Sequence, residues 1–115
     1  LTPMPERLLR DTPMRRLQAL AERIAKEEAP RRWQRLRVVA GDKGWRGSSY
    51  CFHDRIELIR RHRCVLVLLH ELAHWLEPSD DKHGARFMRT YTYLLCRYGD
   101  LKRRWLNEAW RKVTK

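Results

Sequence analysis

His70, Glu71 and His74 fall within five consecutive residues, His70-Glu71-Leu72-Ala73-His74. On a helix, side chains four residues apart project from one face, so both imidazoles can reach a single ion. Glu71 is turned about 100° from His70, which sets its carboxylate beside such an ion rather than on it. Zinc at a site of this kind lowers the pKa of its water to about 7, and an adjacent carboxylate base completes hydrolysis of an amide. The surrounding residues are apolar from Cys64 to Leu69 and again at Leu72, Ala73, Trp75 and Leu76. Burying three ionisable groups on such a helix is costly unless something pairs with them. One histidine could be satisfied by a backbone carbonyl; three groups at ligand spacing point to a metal.

A catalytic zinc site takes three protein ligands and leaves one position open. A Gly three residues and a His six residues beyond His74 would complete one known pattern, but those positions hold Glu77 and Asp80. A glutamate on the following helix would complete another, yet no Asp or Glu occurs between Lys82 and Gly99. His83 remains, nine residues beyond His74, with Gly84 beside it and Phe87 one turn later. The expected constellation is therefore Zn2+ on His70, His74 and His83, with Glu71 as the base.

The segments His70-Glu71-Leu72-Ala73-His74-Trp75 and His83-Gly84-Ala85-Arg86-Phe87, joined by a short polar loop, resemble the core of the SprT-like zinc metalloproteases, the group that includes Spartan. The preceding Ser49-Tyr50 and Ile56-Glu57-Leu58 stretches, which feed into the helix, are similar to that family as well. The resemblance covers about residues 33–98. It implies a small zincin core with the same three ligands and base, and proteolysis of proteins bound or cross-linked to DNA. No cysteine follows Cys96, so the zinc-ribbon module of many relatives is not expected.

The elements that must position these groups are legible in outline. Residues 1–12, with Pro3 and Pro5, read as a loose arm. Asp11 or Thr12 can cap a helix with Pro13 in its first turn, and Leu17, Leu20, Ala21 and Ile24 form its apolar stripe up to Pro30. Residues 36–40, 49–52 and 55–59 read as strands, the first two separated by the turn chemistry of Gly41-Asp42-Lys43-Gly44 and by Gly47-Ser48. Residues 60–63 form a basic bend. A buried central helix spans 64–76 and a second long helix 83–98, with Ser79 or Asp80 available as its cap and Gly99 closing it. A short basic helix covers 101–112, its Leu101, Trp105 and Leu106 side suited to packing on a core. The expected architecture is one α+β domain over 1–115: N-terminal helix, a sheet of about three strands, the site helix and two C-terminal helices.

Composition bounds the rest. The chain has 115 residues, 26 Lys and Arg against 14 Asp and Glu, and a formal net charge of +12. The excess is +5 over residues 1–40 and +5 over 101–115, and zero over 77–100. Such a field favours polyanions, and Arg103, Arg104, Arg111 and Lys112 are the candidate nucleic-acid contacts. Trp33, Trp45, Trp105 and Trp110 offer aromatic faces of the type that stack on unpaired bases, whereas Trp75 reads as core. No apolar run approaches ~18 residues, so a membrane span is excluded, and no apolar segment follows the basic N-terminus as a signal peptide would require. Cys51, Cys64 and Cys96 lack disulfide-framework or zinc-ribbon spacing and read as inert thiols in a cytoplasmic protein, with nucleoid association compatible with the charge. His53 and His62 read as loop or surface histidines. Tyr91, Tyr93 and Tyr98 are candidate oxyanion donors among which spacing does not choose. The function expected is a zinc-dependent metalloprotease acting on a protein or peptide. The alternatives are another metal hydrolase, or a zinc-stabilised nucleic-acid-binding protein without catalysis. Glu71 separates them, because a structural site needs no base.

Overall fold

A helix that is apolar on nearly every side can be accommodated only at the centre of a fold, and Val65–Leu76 (α3) occupies that position. In the computed structural model, which describes residues 4–41, 49–78 and 83–114 (112–114 by backbone alone), five helices and one three-stranded sheet are seen. They follow the order α1 (Glu6–Leu9), α2 (Met14–Glu28), β1 (Arg37–Gly41), β2 (Tyr50–Phe52), β3 (Arg55–Ile59), α3, α4 (Ala85–Arg97) and α5 (Arg103–Thr114). Short 3-10 turns at Trp33–Arg35 and Arg60–His62 lead into β1 and α3. This is the α+β layout expected from the sequence.

The strand order is β1-β3-β2, with β3 central. β1 runs parallel to β3, pairing Val38 with Ile56 and Ala40 with Leu58, while β2 and β3 form an antiparallel hairpin that pairs Phe52 with Arg55. The two turn residues are His53 and Asp54, and His53 takes a φ of 55°, a left-handed conformation that His tolerates better than β-branched residues do. β2 is thus an edge strand, and α3 lies against both β2 and β3.

Period-2 alternation puts Ile56 and Leu58 on the face that meets the helices, where both are fully buried. Leu17, Ala21 and Ile24 of α2, Leu68, Leu69 and Leu72 of α3, and Phe87, Leu94 and Leu95 of α4 complete a single core. Leu101 and Leu106 join it, with Trp105 and Trp110 packed against it, so the apolar side of α5 faces inward as expected. Gly99 closes α4: an added Cβ would come to 2.7 Å from the Leu95 carbonyl oxygen.

Three boundaries differ from the sequence reading. Residues 4–12 are not a loose arm: α1 forms within them, Leu8 is buried, and the Arg7 guanidinium donates to the carbonyl oxygens of Gly99 (2.9 Å) and Asp100 (3.3 Å). One buried leucine and two long-range hydrogen bonds outweigh the local weakness of a four-residue helix, which nothing in the sequence announces. The cap of α2 is Pro13 itself, and Thr12 bonds instead to its own arm and to the Arg63 carbonyl. α4 begins at Ala85 with Gly84 as its cap, so His83 stands just outside the helix. Ser79 and Asp80, with residues 42–48 of the β1–β2 connection and Trp45 among them, lie outside the described residues. No helix of the described residues is long and apolar enough to cross a membrane.

Candidate metal centre

α3 presents His70 and His74 from adjacent turns of one face, and the chain entering α4 brings His83 to them. The three Nε2 atoms form a nearly equilateral triangle: 3.3 Å from His70 to His74, 3.2 Å from His74 to His83 and 3.4 Å from His83 to His70. Protons alone do not hold this arrangement together, because each Nε2 carries either one proton or one lone pair and the three cannot all pair with one another. A tetrahedral zinc with bonds of ~2.0–2.1 Å sets its nitrogens ~3.3–3.4 Å apart. The donor set therefore fits the ion that its chemistry suggests.

Phe87, on the first turn of α4, is buried beneath the triangle. Its ring stacks on His74, with centroids 4.3 Å apart and planes at 25°, and meets His70 and His83 edge-on. Tyr91, one turn further, packs edge-on against His70 at 5.3 Å. Burial, together with the neighbouring His74 and His83, lowers the His70 pKa to about 4. Its imidazole is therefore neutral at ordinary pH and keeps a lone pair for an ion.

Glu71 is 6% exposed, and burial pushes its carboxyl up to about 7. It lines an open cleft of about 920 Å³ together with the three histidines, the β2 edge at Tyr50 and Cys51, and the hairpin turn. A smaller hollow of about 270 Å³ is walled by Leu66, Val67 and Tyr91 and shares Ser49, His70 and Glu71 with the first. The two adjoin at Ser49, His70 and Glu71, and together make one groove past the histidines.

The far wall of the cleft is braced by residues remote in sequence. Trp75 Nε1 donates to Asp54 Oδ1 at 3.0 Å, joining the end of α3 to the β2–β3 turn. Arg32 donates to the Trp75 carbonyl oxygen at 2.8 Å and lies 4.2 Å over the Trp75 ring. At the start of β2, Ser49 Oγ accepts from the Ile59 amide and lies 3.1 Å from His62 Nδ1. His62 therefore supports the edge strand and lies outside the histidine triangle. His53 is on the cleft wall in the hairpin turn and also stands apart from the triangle.

Among the three candidate tyrosines, only Tyr91 lies at the site. Its hydroxyl is directed to the Leu66 carbonyl oxygen at 3.5 Å. Tyr93 instead donates to Glu28, and the single Tyr98 hydroxyl proton is shared between Glu28 and Glu27, tying α4 to α2. Cys51 is in the cleft, where burial and then the nearby Glu71 push its thiol up to about 12, so it is not thiolate at neutral pH. No disulfide joins Cys51, Cys64 and Cys96.

Arg103, Arg104 and Arg111 are exposed along α5, and Lys112 falls on the same helix with its side chain outside the described residues. The opposite side of α5 packs behind Tyr91 through Trp110, whose Nε1 donates to Thr92 Oγ1 at 2.9 Å and whose ring lies 6.2 Å from the Tyr91 ring. Sequence reasoning missed Arg32, Asp54 and this role of Trp110, and no local pattern could have found them. Each acts through a contact with an element distant in the chain. No family model, curated protein or solved structure matches the chain.

Proposed function

We propose that this chain is a zincin-like, SprT-like zinc metalloprotease: a hydrolase of peptide bonds that holds Zn2+ on His70, His74 and His83. The observation that carries this reading is the Nε2 triangle with sides of 3.2, 3.3 and 3.4 Å beside a buried Glu71 on the same helix. A zinc ion held there would supply Lewis acidity toward a water molecule and toward the oxygen of a scissile carbonyl.

The chain's own groups supply the rest. Glu71, turned off the ligand face of α3, takes the proton of the attacking water on its carboxylate and passes it to the departing amine nitrogen. A carboxyl held near neutrality suits both halves of that transfer. The β2 edge offers backbone groups along which an extended peptide can lie, and Glu71 lines both the cleft and the hollow that adjoins it. Phe87 and Tyr91 keep the imidazoles in place and exclude water from behind them.

The exposed basic face of α5 supports action near DNA, on bound or cross-linked proteins, in a cytoplasmic or nucleoid setting. The test combines metal analysis of the purified protein with hydrolysis of an unfolded protein substrate, with and without DNA. One zinc per chain and hydrolysis lost in Glu71→Gln are expected. Full turnover by Glu71→Gln would remove the proposal.

A further inference from the structure

The two ends of the groove differ in chemistry. Beyond His70 and Glu71 on one side stand Leu66, Val67 and Tyr91; on the other stand Arg32 and Arg86. Arg32 is the more informative cation. It is half-buried, one flat face is covered by the Trp75 indole at 4.2 Å, and one Nη is fixed on the Trp75 carbonyl oxygen at 2.8 Å. These contacts hold the guanidinium in one place, and among the described residues its other N–H groups have no hydrogen-bond partner. No carboxylate among the described residues lies within 4.0 Å of Arg32 or of Arg86. Asp54, which also lines the cleft, is engaged with the Trp75 indole N–H instead. A surface arginine without an ion pair is ordinary. One that is stacked, partly desolvated and already oriented at a cleft wall has lost the mobility that makes such pairs weak elsewhere.

We infer that Arg32, in a cleft that Arg86 also lines, forms an anion subsite that selects peptide substrates carrying a carboxylate a short distance from the scissile bond. The planar fork matches a carboxylate with two parallel N–H bonds, and its fixed orientation reduces the ordering cost of binding. The occupant's identity as a peptide rests on the hydrolase reading above; the anion preference rests on Arg32 itself. A carboxylate can come from an Asp or Glu side chain or from the C-terminus of the substrate, and the two sources are separable by experiment.

The zinc-loaded Glu71→Gln protein serves as a trap that binds without cutting. Three dye-labelled decapeptides of Gly, Ala and Leu are titrated by fluorescence anisotropy: one with a central Asp and an amidated C-terminus, its Asn counterpart, and the Asn peptide with a free C-terminus. Binding of the Asp peptide at least about tenfold tighter than the amidated Asn peptide is expected, with the gain lost in Arg32→Gln and partly restored in Arg32→Lys. A gain confined to the free C-terminus would also support the subsite and assign it to the terminal carboxylate. Equal affinity for all three peptides, no binding of any, or a preference that survives Arg32→Gln would overturn it. So would an oligonucleotide that displaces the Asp peptide and itself binds tighter, in an Arg32-dependent way. If Arg32→Gln fails to fold, the peptide comparison on intact Arg32 together with Arg32→Lys still decides. Wild-type protein that cuts all three peptides equally would remove the subsite and leave the hydrolase. Arg32-dependent binding without cutting of any peptide would do the reverse.

Discussion

The His74 ring lies nearly parallel to Phe87, 25° between planes and 4.3 Å between centroids, while His70 and His83 meet the same phenyl edge-on. One buried side chain therefore sets the positions of three candidate ligands. Phe87→Leu keeps most of the volume and loses the flat support, so zinc affinity is expected to fall by about tenfold or more with the fold retained. Competition with a chromophoric chelator measures it, and unchanged affinity would show that the triangle is held by the backbone alone. Phe87→Ala is expected to cost about 3–5 kcal/mol of stability through the cavity it leaves.

Glu71 and His74 separate chemistry from ion binding. Glu71→Gln should leave zinc content intact and the melting temperature unchanged or raised, since a buried carboxyl is replaced by a neutral group of the same shape, while hydrolysis disappears. His74→Ala should lose zinc as well as activity. Elemental analysis, thermal unfolding and turnover on the same preparations distinguish the two.

Removal of the metal should be felt by the whole fold. The triangle joins α3 to the entry of α4, two elements on which the core depends, so an ion bound there stabilises the native state alone. At a thousandfold excess of zinc over its Kd the linkage is about 4 kcal/mol, which for a domain of this size is on the order of 15 °C in Tm. Calorimetry with zinc and with chelator gives the difference directly; coincident transitions would mean that the histidines hold no ion.

On α5, the outward charges and the inward aromatic side chains should separate functionally. Neutralising Arg103, Arg104, Arg111 and Lys112 together should weaken duplex DNA binding and flatten its log–log salt dependence by about 0.9 for each phosphate that is no longer neutralised. Cleavage of a free peptide should be unaffected, because Trp110, Trp105 and Leu106, which pack inward, are untouched. Affinities at several salt concentrations provide the slopes, and identical slopes would leave α5 as a solvated face.

The sequence alone determined those features that depend on residues close together in the chain. Helical periodicity put His70 and His74 on one face with Glu71 off it. Alternation marked Ile56 and Leu58 as the buried side of a strand, and apolar residues on nearly every side made residues 64–76 the central helix. His83 was reachable by elimination, because few other donors follow. What the tertiary structure decided involves groups that no local period connects. Strand order β1-β3-β2 makes β2 an edge and so opens a groove beside Glu71. Of three similar tyrosines, the fold sets only Tyr91 beside His70 and turns the other two to Glu27 and Glu28 of α2. It turns residues 6–9 into a docked helix through Leu8 and the Arg7 bonds to the turn after α4. It also stacks Arg32 on Trp75, 43 residues away, at the wall of the cleft. Periodicity records which face of an element is apolar; which element meets that face is settled by packing, whose free energy comes from pairs far apart in the chain.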